Sequence, residues 1–206
     1  MQTIISGMKT RITSSIKCTT GITKKPVIVV DYDPIWPVQF RSLRGRIASV
    51  LRLMAAAIEH VGSTSVIGLA AKPIIDIDVL LSSSSYLSSA ISRLATLGYV
   101  HQGDLGIRGR EAFRSPLGSV PHHLYVCPPH SNEFRRHMAF RNYLRTHSKD
   151  AAEYGELKRS LALRFRDDRD AYLAGKSEFV TVLTSHALSQ LGRLSESKLS
   201  SQRRQG

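Results

Sequence analysis

Two aspartates one residue apart inside an apolar run constrain this chain more than any other feature. In Ile74-Ile75-Asp76-Ile77-Asp78-Val79 acids alternate with aliphatic residues, and a period of two is that of a strand. Asp76 and Asp78 therefore share one face, while Ile75, Ile77 and Val79 pack from the other. Two aligned carboxylates repel, and in an apolar setting one would keep its proton unless a hard cation stood between them. Mg2+ is the natural candidate, because it takes one or two carboxylates and completes its shell with water and phosphate oxygens. Just upstream runs His60-Val61-Gly62-Ser63-Thr64-Ser65, a small-residue turn that brings backbone N–H groups and hydroxyls close to an anion. Lys72 adds a cation. Either half alone reads as a solvated strand edge or an ordinary capped turn; joined, they put metal and phosphate chemistry side by side.

A Gly-Ser turn followed by an Asp-x-Asp strand resembles the nucleotidyltransferase superfamily, the polymerase-beta-like fold. Further stretches narrow the resemblance to the GrpB family (UPF0157-like): Tyr32-Asp33-Pro34-Ile35-Trp36-Pro37, Glu59 through Ser65, Gly68-Leu69-Ala70-Ala71-Lys72-Pro73 and His123-Leu124-Tyr125-Val126. The C-terminal run agrees, with Phe140-Arg141-Asn142-Tyr143-Leu144-Arg145, Tyr154, Leu157-Lys158, Tyr172 and Lys176-Ser177-Glu178-Phe179-Val180. The match spans Val27 to Leu188. It implies an α/β (α+β) fold, a small mixed sheet with flanking helices and a C-terminal helical section. The family is largely uncharacterised, and some members are fused to dephospho-CoA kinase. This chain lacks a Gly-x-x-x-x-Gly-Lys-Ser/Thr loop, so nothing supports kinase chemistry.

The chain departs from the wider superfamily at one point. A third carboxylate is expected from a later strand, which here is Pro121-His122-His123-Leu124-Tyr125-Val126. By analogy His123 falls beside Asp76 and Asp78, either as a neutral metal ligand or as a cation on phosphate. Imidazole suits softer metals, so Mn2+ or zinc stays open beside Mg2+. A plain strand end with ordinary hydrogen bonds carries equal weight.

The net charge of +13 suggests nucleic acid until its distribution is read. Residues 1–30 hold five basic residues and no acid, and residues 192–206 carry a net +3, leaving +5 for the centre. The excess thus lies on segments that read as a disordered leader (1–26) and a polar tail (191–206), flanking a domain over 27–190. Nucleic acid is disfavoured. The Ser/Thr-rich, acid-free leader has the composition of an organellar transit peptide but no amphipathic helix, and disorder is the better reading. Cys18 and Cys127 make neither a disulfide framework nor a metal spacing, which favours a reducing, cytoplasmic setting. No apolar run is long enough to span a bilayer.

Periodicity predicts a helix from Gln39 to Ala57, with Phe40, Leu43, Ile47, Leu51 and Met54 on its core face, and strands over 58–61 and 74–80. A second helix follows through Leu87, Ile91 and Leu94, then a strand from Gly98. The glycine-rich stretch 103–118 reads as a hairpin, and Arg110 within it as a substrate contact. Ser131 caps a helix on which His137, Arg141 and Arg145 recur every fourth residue. A solvated face is the simplest account of that row, and the preserved family run raises Arg141 as a phosphate contact. Helices continue through Phe165, break at Gly175 and resume to Leu188. Asp167, Asp168 and Asp170, set among arginines, read as a salt-bridged surface.

The leading functional expectation is metal-dependent nucleotidyl transfer to an unknown acceptor. Asp76 and Asp78, with His123 as a further candidate, hold the metal; Gly62, Ser63 and Thr64 position phosphates; Lys72, His123, Arg110 and Arg141 stabilise developing charge. The partner is then a nucleotide or another phosphorylated small molecule. The alternative is a catalytically inactive module of the same fold that binds a nucleotide or CoA-related ligand. The missing third carboxylate favours that alternative; the intact acid pair disfavours it.

Overall fold

The computed structural model describes residues 26–203, with side chains through residue 193. The expected leader and residues 204–206 lie outside the described residues. The chain enters in extended form: Val27 N–H donates to the Arg166 carbonyl, and Val30 bridges Ala71. Asp33 then starts the first helix by accepting from Ile35 N–H at 2.9 Å.

Helix α1 (Ile35–Leu51) buries Leu43, Ile47 and Leu51 at four-residue spacing. The expected continuation to Ala57 does not occur. Arg52 takes φ +50°, a short 3-10 turn (Arg52–Met54) follows, and Ala55 opens β1 (Ala55–Val61). Alanine's preference for helix is under about 1 kcal/mol per residue, too little to outweigh pairing with β2 (Ile75–Leu81), where Ala55 faces Leu81 and Ala57 faces Leu80.

Three further strands, β3 (Val100–His101), β4 (Glu111–Arg114) and β5 (His122–Cys127), complete a five-stranded mixed sheet in the order β1-β2-β5-β4-β3. Only β2 and β5 run parallel. The segment read as a hairpin is one, since β3 and β4 pair antiparallel across it. On one face, Ile75, Ile77 and Val79 join α1 and α2 (Leu87–Ala95) in the main core.

The opposite face, with Asp76 and Asp78, meets the C-terminal section: α3 (Asn132–Thr146), α4 (Ser148–Arg164) and α5 (Arg169–Arg203). Ser131 accepts from Phe134 N–H and caps α3 as expected. Gly175 does not break the chain. It lies inside α5 where a Cβ would come within 2.5 Å of Leu161 Cδ2, so the absence of a side chain lets α5 lie against α4. Residues 191–203, read as a tail, continue that helix. Asp168 sits at the α4–α5 turn and caps α5 by accepting from Ala171 N–H. Among the described residues no helix is long and apolar enough to cross a membrane.

Candidate functional site

Strand β2 delivers both acids to one face as its alternation dictates, but their surroundings differ. Asp76 is 30% exposed and opens on a cleft, whereas Asp78, one pleat further along, is fully buried beneath α3. Each carboxylate accepts from an imidazole: His123 Nδ1 to Asp76 Oδ1 at 2.8 Å, and His137 Nδ1 to Asp78 Oδ2 at 2.7 Å. The parallel register sets the first pair, because Asp76 and His123 are direct neighbours across β2 and β5. Burial pushes the Asp78 carboxyl up, against the pull of His137. Burial also disfavours a charged His137 ring, yet the hydrogen bond and charge of Asp78 together outweigh it and hold the imidazole above its ordinary range. The two groups titrate as a coupled pair.

Gly62 approaches Asp76 closely. Its backbone sits at φ +68°, ψ −173°, a region essentially reserved for glycine, and a Cβ there would lie 2.2 Å from Asp76 Oδ2. The glycine-serine turn and the acid are therefore in contact. Ser63 begins the 3-10 turn that follows and faces the cleft. Thr64 is buried, and its hydroxyl meets His60 Nε2 and donates to the Ile74 carbonyl, tying the turn to the lead-in of β2.

The cleft, about 410 Å3, brings Asp76, Ser63, Lys72, Arg110 and His123 together. It also takes Lys158, Arg169 and Lys176 from the helical section. These cations crowd one another. Burial, then Arg169, pushes Lys72 down; burial pushes Lys176 down, with Lys72 adding to the effect. Lys158, 2% exposed, donates to the Ala70 carbonyl, and burial with the nearby Lys176 brings its ammonium down to about 7. A multiply charged anion would relieve all three. Arg110 stacks over the Tyr125 ring at 4.2 Å.

Among the described residues two buried side-chain polar atoms have no hydrogen-bond partner, Asp78 Oδ1 and Arg110 Nε. Arg110 lines the cleft, whereas Asp78 lies beneath α3. An ordered water or an ion would satisfy either atom. Carboxylates, water and phosphate oxygens are the donors a hard cation takes, and of the two acids Asp76 is the one open to the cleft. Among the described residues no three His, Cys, Asp or Glu side chains form a complete protein cage for a metal.

Arg141 is not brought to the cleft. Glu59 faces Asp78 across the β1–β2 pair, and Arg141 Nη1 is committed to Glu59 Oε2 at 2.7 Å and the His60 carbonyl at 3.0 Å. The row on α3 is thus no solvated face: His137, Arg141 and Arg145 dock onto Asp78, Glu59 and the Ser65 carbonyl in turn. The four-residue spacing was the signal for this row, but not for the acidic face it meets. Lys158, Arg169 and Lys176 carry no local chemical pattern, since α4 and α5 bring them in from far along the chain.

A mixed sheet bearing an acid pair against a glycine-serine turn, roofed by cationic helices, defines the class of this protein. The chain belongs to the GrpB protein family, whose profile matches residues 26–186. It is 38% identical to the UPF0157 protein PA4798 of Pseudomonas aeruginosa over 164 residues, 78% of this chain and 67% of that protein. To the UPF0157 protein YqkA of Bacillus subtilis it is 33% identical over 164 residues, 80% of this chain and 48% of that protein, so it spans about half that relative's length. The crystal structure of the conserved protein GrpB from Enterococcus faecalis superposes with a TM-score of 0.74 at 34% identity, covering 80% of this chain and 99% of that one.

Proposed function

We propose that the protein is a metal-dependent nucleotidyltransferase acting on a nucleoside triphosphate and an acceptor hydroxyl or amine. The observation that carries this reading is the cleft in which Asp76, bonded to His123 and pressed against Gly62, faces Lys72, Arg110 and Lys176. A cation at Asp76 and phosphate oxygens at the lysines and Arg110 would balance these charges. Mg2+, or Mn2+ in its place, would be held by Asp76 and Asp78 and would supply charge neutralisation of the phosphates. Through Nδ1, His123 serves as the hydrogen-bond partner that orients Asp76.

The chain's own residues do the rest. Ser63 and the N–H groups of its turn seat the phosphates, and Gly62 admits the close approach. Lys72, Arg110 and Lys176 balance charge on the leaving group. The acceptor's oxygen or nitrogen bonds to the alpha phosphorus, the bond to the beta-bridging oxygen breaks, and pyrophosphate departs with that electron pair. The acceptor's proton passes to His123 Nε2, the ring nitrogen that is not bonded to Asp76. Arg141 contributes as a positioning residue that fixes α3 over the sheet through Glu59. Nucleoside triphosphates and a buried, reduced Cys127 fit a cytoplasmic setting.

One observation favours a second reading, a nucleotide- or CoA-related binding module without transfer: the strand position of the third carboxylate holds His123, and Asp78 is sealed by His137. Thermal unfolding with triphosphates, with and without Mg2+ or Mn2+, separates the two, since a ligand bound only by the folded state raises its melting temperature. A metal-dependent rise that EDTA cancels and Asp78→Asn or Asp76→Ala removes supports transfer. A rise indifferent to chelation and to both variants selects the binding module, and no rise with any triphosphate sinks both.

A further inference from the structure

A second cavity, larger than the cleft, lies on the far side of the glycine-serine turn. It measures about 900 Å3, within the range of sites that enclose a small organic ligand. It forms where β1, an edge strand, leaves its flank open between α1 and the start of α4. None of the residues that line it is an acid of the β2 pair.

One wall is flat and aromatic. The Phe40 ring stacks on His60 with centroids 4.7 Å apart and planes 14° from parallel, and Tyr32 lines the same cavity. Burial brings His60 down to about 4, so this wall is uncharged at neutral pH.

The other wall is cationic. Glu59 is the one acid among the lining residues, and Arg141 already neutralises it at 2.7 Å. Arg145 donates Nε and Nη2 to the Ser65 carbonyl and makes no ion pair. Arg41 is exposed and, among the described residues, makes neither a hydrogen bond nor an ion pair. Helix α4 opens at the cavity with Ser148, and Asp150 in its first turn, which accepts from the Tyr143 hydroxyl, offsets the partial positive charge of that end. At the rim Ile67 is 83% exposed, a large aliphatic surface that a seated ligand would cover.

We infer that this cavity is a second ligand site, built for a planar aromatic molecule bearing an anionic group: ring against Phe40, which His60 backs, and anion between Arg41 and Arg145. The inference does not rest on nucleotidyl transfer. The cavity shares the 60–65 segment with the cleft, because His60 on one side bonds Thr64 on the other.

The probe is 1-anilinonaphthalene-8-sulfonate, an aromatic sulfonate whose fluorescence rises on transfer to an apolar site, titrated into the full chain. Saturable binding of one molecule is expected. Arg41→Glu should weaken it at least about tenfold, equivalent to about 1.4 kcal/mol, while Lys176→Glu in the cleft leaves it within twofold. Arg41 is exposed and holds no polar partner among the described residues, so the variant should melt with the wild type, and circular dichroism checks that it does. Arg145→Gln serves as a second reporter. Unsaturable fluorescence, unchanged affinity in both arginine variants, or loss of binding in Lys176→Glu would overturn the assignment.

Discussion

Gly62→Ala tests the contact on which the candidate site depends. The residue sits at φ +68°, ψ −173°, a conformation that strains any other amino acid by about 1–3 kcal/mol. The added Cβ would also meet Asp76 Oδ2 at 2.2 Å and Cγ at 2.9 Å, where ordinary contact starts near 3.4 Å. The carboxylate must retreat by roughly an ångström, which breaks its 2.8 Å bond to His123, a loss of about 0.5–1.5 kcal/mol. Together these effects give about 2–4 kcal/mol, and at about 2–4 °C per kcal/mol for a domain of this size the melting temperature should fall by about 5–15 °C.

A double-mutant cycle with Asp76→Ala separates the two parts. Removing the Asp76 carboxylate deletes the two closest contacts and leaves the Asp76 Cβ at 3.0 Å, so most of the clash is relieved while the backbone strain remains. Gly62→Ala should therefore destabilise the Asp76→Ala protein by about 1 kcal/mol less than it destabilises the wild type. Thermal unfolding by circular dichroism reads all four corners. Were Gly62→Ala to melt within a degree of the wild type, or the two changes to add independently, the turn would not be pressed against the acid.

Three other perturbations follow from the same packing. His137→Ala leaves Asp78 buried without its donor and should lower stability by about 3–5 kcal/mol, with Asp78→Ala in the same chain recovering much of the loss in chemical denaturation. Gly175→Ala sets the overpacking against Leu161, about 1–3 kcal/mol, against a helix-propensity gain of about 1 kcal/mol; a net loss that Leu161→Ala reverses is expected, and a net gain would mean that α4 and α5 are further apart. Lys158 has a folded-state ammonium near 7 against an ordinary 10.5. Between those values the unfolded chain holds a proton that the folded chain lacks, so stability rises with pH through that window, by at most about 1.4 kcal/mol per pH unit. Below 7 the full penalty of the buried charge is present. The melting temperature of the wild type relative to Lys158→Met should therefore climb from pH 7 to 9.5, and parallel curves would show that Lys158 is charged in the fold.

What could be read from the sequence was governed by the distance over which a pattern acts. The alternation of Ile75, Asp76, Ile77, Asp78 and Val79 is set by the pleat, so the face of each residue was legible and the acid pair emerged where expected. His123 could be brought to Asp76 only by family resemblance, because a parallel register between β2 and β5 is fixed by 40 intervening residues and by no local signal. The end of α1 was misread for the opposite reason: Ala55, Ala56 and Ala57 carry a strong local preference, and a pairing partner at residues 80–81 overrode it. Gly175 shows the same limit, since a glycine that breaks a helix and one that admits a neighbouring helix look alike until Leu161 is in place. The row His137, Arg141 and Arg145 is the most instructive of these. Its spacing announced a charged stripe, and charged stripes face water unless something buried answers them. Here Asp78 and Glu59, adjacent across two antiparallel strands, present carboxylates at a separation that one helical turn can meet. That correspondence places α3 over Asp78 and leaves Asp76, which no α3 side chain bonds among the described residues, as the acid that faces the cleft.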